Sequence, residues 1–136
     1  MARRDDFVPA ALVAGIFSGA PSTIHALVTG RPLRDAVAAA GELLGRPGVL
    51  RGAIAHTFLT IGWTSVLLVV LPRKATMTWG AVAGAAIGVA DLAVADRRFP
   101  AIAALPRLPQ LADHIAFGAL VGAVITVRSG GVHAAG

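Results

Sequence analysis

Four stretches of about 20 predominantly apolar residues, separated by short segments rich in Arg, Pro and Gly, occupy nearly the whole chain. That is the length an α-helix needs to cross a bilayer's hydrocarbon core. The stretches run from about Phe7 to Thr29, Leu50 to Leu71, Thr76 to Ala95 and Gln110 to Val127. The predicted fold class is therefore all-α integral membrane, with four transmembrane helices in one domain spanning residues 1–136. Composition agrees: 14% of residues are charged, against about 25% in an ordinary soluble domain. Four crossings leave no room for a soluble catalytic domain.

Between the first two spans, Leu33, Ala36, Val37, Ala40, Leu43 and Leu44 recur at helical spacing, with Pro32 able to open the helix and Gly45 to close it. Arg34, Asp35 and Glu42 lie off that stripe. A short amphipathic interfacial helix over about 33–44, lying along the membrane surface, is expected. The alternative is that this segment folds back and caps the bundle.

Met1-Ala2-Arg3-Arg4-Asp5-Asp6 leads into the first apolar stretch, which lacks a small-x-small cleavage site near its end and is read as a retained helix. Eleven of the twelve basic residues are Arg, and the chain is rich in Ala and Gly; both point to a GC-rich bacterial genome and to the cytoplasmic membrane. The net charge of +5 resides in pairs at span boundaries, namely Arg3/Arg4, Arg73/Lys74 and Arg97/Arg98. Such pairs face anionic headgroups, so the lipid bilayer is the expected partner and nucleic acid is not. Seven cationic residues (Arg31, Arg34, Arg46, Arg51, Arg97, Arg98, Arg107) lie on the side of loops one and three, against five (Arg3, Arg4, Arg73, Lys74, Arg128) on the other. This small bias favours both termini outside the cytoplasm.

Small residues mark where helices meet, because lipid supplies no hydrophobic drive for helix association. Gly15 and Gly19, then Gly80, Gly84 and Gly88, then Gly118 and Gly122 form GxxxG steps in three of the four spans. They predict tight seams within the chain, or within a homo-oligomer or larger membrane complex. Pro21, inside the first span, has no amide proton and its ring collides with the carbonyl of Phe17, which predicts either an ordinary kink or a broken helix that exposes backbone to a cavity. Val13-Ala14-Gly15 matches Val82-Ala83-Gly84, and Ala55-His56 matches Asp113-His114, a faint repeat of two tandem hairpins.

The most informative pattern is an intramembrane polar layer of His25, His56, Asp91, Asp113 and His114. Each lies roughly 6–9 Å inside its span boundary, and because successive helices alternate in direction all lie on the side of loops one and three. Helical phase puts them on the glycine-bearing faces, so they are expected to point inward.

Three functions compete. The first is a helix-packing scaffold or accessory subunit, in which these polar groups merely satisfy helix ends, water or nearby Arg residues. The second is a proton- or cation-coupled small carrier or channel. In it Asp91, near a helix C-terminus where the macrodipole disfavours negative charge, is compensated by a proton, a cation or an imidazolium. The third is a metal or haem protein, with His25, His56 and His114 as candidate ligands, although no HxxxH-type spacing occurs and no cofactor is required. Enzyme activity is not expected: Ser18, Ser22 and Ser65 have no nucleophile–base arrangement, there is no phosphate-cradling loop, and without Cys there is no thiolate chemistry. In size and span count the chain is similar to small four-helix efflux proteins, whose first span carries a membrane-embedded glutamate. Here that span has His25 and no carboxylate beyond Asp5-Asp6 at its entrance, so no family is assigned.

Overall fold

The computed structural model describes residues 2–134, all of whose regular structure is helical. A single turn, α1 (Ala2–Asp5), precedes α2 (Phe7–Phe17) and α3 (Ala20–Thr29), which together form the first span. Then come α4 (Arg34–Ala40), a 3-10 turn (Gly41–Leu44), α5 (Val49–Val70), α6 (Thr76–Arg98), α7 (Pro100–Ala103) and α8 (Arg107–Ala134). Four stretches are long and apolar enough to cross a membrane: Phe7–Thr29, Val49–Val70, Thr76–Arg98 and Arg107–Gly130.

The helix ends follow from local chemistry. Gly30 adopts a left-handed φ of 69°, and the amide of Arg31 closes back onto the carbonyl of Ala26 at 2.9 Å, ending α3. Leu71 and Phe99 each precede a proline and leave the helical region, ending α5 and α6. The fourth span departs from expectation. It begins at Arg107, ahead of the expected Gln110, and continues beyond Val127. Pro109 sits in its first turn, where no intrahelical amide bond is needed, so it does not mark a boundary.

Helix α8 is the centre of the bundle. It packs on α6 along one flank and on α2 and α3 along the other, and α5 lies beyond, against α2. The α6–α8 seam is the glycine contact that the sequence predicts. A Cβ on Gly80 would lie 2.1 Å from the carbonyl oxygen of Gly118, and one on Gly84 2.1 Å from that of His114. Gly122 abuts the backbone of Thr76, and Gly88 faces the side chains of His114 and Leu111. Gly15 meets the side chain of Thr60 on α5, whereas Gly19 has open space around it.

The apolar core lies toward the end of the bundle that carries the termini. It is built from Ala10, Ala14, Leu67, Leu68, Val121 and Ile125, with Trp63 packed against it. At that end Arg128 Nε donates to Asp6 Oδ1 at 2.6 Å, tying the start of the first span to the end of the fourth. Asp6 is only 5% exposed. Replacing Arg128 with Gln should leave a buried carboxylate without its cation. The cost is about 2 kcal/mol, below that of a fully buried pair because the arginine is half exposed. Thermal melts of Arg128→Gln, Asp6→Asn and the double variant check this: the double variant should be more stable than Arg128→Gln alone.

The other end is looser. The 33–44 segment is helical as expected, over α4 and the following 3-10 turn, and it packs against α5 and α7. A Cβ on Gly52 would fall 1.6 Å from the carbonyl oxygen of Val37, so the backbones of α4 and α5 touch. Glu42 Oε2 accepts the amides of Ala101 at 2.8 Å and Ile102 at 3.4 Å, fastening the segment to α7. It thus covers the bundle end formed by loops one and three.

Candidate functional site

The first span is not merely kinked at Pro21: it breaks at Ser18–Gly19, and Pro21 occupies the first turn of α3. A helix leaves its first four amides and last four carbonyls without intrahelical partners. Inside a membrane such groups need partners from elsewhere in the protein, because lipid offers none. Two residues of the polar layer supply them. Asp113 Oδ1, from α8, accepts the Ser22 amide at 2.9 Å in the first turn of α3. His56 Nε2, from α5, donates to the Gly15 carbonyl at 3.0 Å in the last turn of α2. His56 and His114 both lie within electrostatic range of Asp113.

Asp113 and His114 are adjacent, so their side chains leave α8 about 100° apart and meet different neighbours. Asp113 turns to the first span. His114 turns to the third, where its Nε2 lies 3.2 Å from Asp91 Oδ2. The other ring nitrogen, Nδ1, lies 2.8 Å from the Gln110 carbonyl. A carbonyl oxygen carries no hydrogen, so Nδ1 must be the donor there. If Nε2 were bare and Asp91 ionised, two lone pairs would face each other. The pair therefore holds one proton, as imidazolium with carboxylate or as neutral imidazole with carboxylic acid. Among the described residues no arginine forms an ion pair with Asp91 or Asp113; Arg107 bonds Asp96 at 2.9 Å instead.

Two cavities flank this arrangement. The first, about 450 Å³, lies between α3, α4 and the start of α5; its floor is the helix break at Gly15, Gly19 and Ser22, with His56 beside it. His25 lines the same cavity, and its imidazole bonds to no described residue. Arg31 and Asp35 stand at the mouth, and neither forms an ion pair among the described residues. The second cavity, about 250 Å³, has apolar walls and reaches the Asp91–His114 pair. Ala36, Ala40, Leu105 and Gln110 line both and separate them.

The structure thus brings four of the five polar-layer residues into two connected arrangements and leaves His25 apart on the cavity wall. It does not assemble the candidate metal ligands His25, His56 and His114. Among the described residues no group of three His, Asp or Glu converges as an ion would require, and His56 and His114 are each engaged elsewhere. Sequence reasoning passed over Glu42 and Gln110. The only signal for Glu42 was a charged residue beside an apolar stripe, and for Gln110 a polar residue one turn before His114. In comparisons with known proteins the chain matches no family model, no curated protein and no solved structure.

Proposed function

We propose that the protein is a small proton-coupled carrier of the cell membrane that takes a small zwitterionic solute into the cavity above the broken first span. The observation that carries this reading is a cavity of solute size over the helix break whose wall residue Gln110 also holds His114 against Asp91, a pair whose geometry calls for one shared proton. Pockets that hold small molecules run from about 300 to 1,000 Å³. The unpaired guanidinium of Arg31 and carboxylate of Asp35 at the mouth complement a solute bearing both charges. A helix broken at mid-span, with its freed backbone groups lining a cavity, is a common way for carriers to build such a site. The glycine seams of α6 and α8 are occupied within the chain, and the carrier reading is drawn from the cavity and the pair instead.

Solute-pulse currents from proteoliposomes on solid-supported membranes test the proposal, using amino acids, amines and carboxylic acids under an imposed pH gradient. An amino acid is expected to evoke a pH-dependent current that falls at least tenfold in Asp91→Asn. The amide is isosteric and can donate to a neutral Nε2, so the hydrogen bond survives while the shared proton is lost. Silence across the whole panel, or full coupling in Asp91→Asn, would end the carrier reading.

A further inference from the structure

The second cavity differs in kind from the first. Leu59 of α5 and Leu92 and Ala95 of α6 form its sides, and Leu43 and Ile102 lie toward the bundle end. Its polar floor is Asp91 with His114, plus Gln110, whose amide nitrogen is directed to the carbonyls of Ile102 and Leu105. On the side of loops one and three it is roofed by the α4 segment, which Glu42 fastens to α7. On the flank, α5 and α6 barely touch, and Leu59 and Val94 are exposed on the outer surface there. The opening therefore faces the bilayer rather than water.

The charge state of the floor limits what can enter. Asp91 and His114 together hold one proton and are neutral as a unit, so an ionised head group would lie in an apolar cavity without a counter-charge, at heavy cost. A neutral hydroxyl or carbonyl can instead hydrogen-bond to the pair. We infer that the second cavity is a binding site for a membrane-dissolved lipophile with one neutral oxygen head group, entering laterally between α5 and α6 and hydrogen-bonding to the Asp91–His114 pair. Its apolar body lies among Leu59, Leu92 and Ala95, and its head displaces no existing ion pair. The inference rests on the cavity and the pair, and it holds whether or not a zwitterion is carried through the first cavity.

The test uses the full chain in lipid nanodiscs and a long-chain alcohol bearing a diazirine in its alkyl chain, compared with the matching fatty acid at pH 8. Alcohol labelling should concentrate on the peptides containing Leu59 and Leu92–Ala95 and be competed by unlabelled long-chain alcohol. It should fall at least fivefold in Leu92→Trp, which fills the cavity. Leu59→Trp, at a more exposed position, serves if the first variant does not yield folded protein. The fatty acid anion should label these peptides no more than other lipid-facing ones. Labelling spread evenly over the outer helix faces, unchanged labelling in both tryptophan variants, or equal capture of the anion would each overturn the inference. Site-specific labelling together with silent solute currents would dismiss the carrier reading and leave this site standing.

Discussion

Gly118→Val should abolish the packing of the third span on the fourth and leave little monodisperse protein after extraction in mild detergent. The added Cβ would lie 1.9 Å from the carbonyl oxygen of Gly80 and 2.9 Å from the amide nitrogen of Gly84. Both obstacles are backbone, so no rotamer change relieves them, and the helices must move apart along the whole seam. In a bilayer that seam is where close packing supplies the attraction, since no water is expelled when the helices meet. The expected loss is about 3–5 kcal/mol, in the range of the largest core disruptions. Gly19→Ala is the matched control: nothing lies within 4 Å of its Cβ position, and the melting temperature should hardly move. Fluorescence-detected size exclusion after a temperature series compares the two. A Gly118→Val protein as stable as Gly19→Ala would show that the seam does not hold the bundle together.

The seam was legible because a glycine repeat is a local signal and α6 and α8 both carry one. Much of the span layout was legible for a similar reason, since about 20 apolar residues read the same in any order. What stayed hidden depended on which helices become neighbours. Helical phase placed Asp91, Asp113 and His114 on inward faces. It did not reveal that α8 sits between α6 and the first span, which is what sends Asp113 to Ser22 and His114 to Asp91. Pro21 announced a disturbance, but its form depended on partners more than thirty residues away, His56 and Asp113. Pro109 misled for the opposite reason: a proline ends a helix when it follows one and is welcome when it opens one. Glu42 was unreadable because its role is to cap a four-residue helix in a distant loop.

Asp113→Ala should release the broken first span, and Asp113→Asn should do so only in part. Asp113 is the acceptor for the Ser22 amide, which opens α3 next to a proline that has no amide of its own. Alanine leaves that amide without an acceptor beside a cavity, at a cost of about 1–3 kcal/mol. Asparagine keeps a carbonyl oxygen of the same reach but gives up the negative charge that favours a helix N-terminus. That charge accounts for about 0.3–1 kcal/mol of the effect. Stability should therefore fall in the order wild type, Asn, Ala. Hydrogen exchange in nanodiscs reads the cause directly: protection at Ser22 should drop sharply in the alanine variant and modestly in the asparagine variant. Amides in the α6–α8 seam should be unaffected in both. The same pair of variants addresses function, because solute current lost in Ala but retained in Asn would tie transport to the shape of the break rather than to the carboxylate's charge. If Ser22 exchanges at the wild-type rate in Asp113→Ala, the capping account of the break is wrong, and the polar layer must be explained by the Asp91–His114 pair alone.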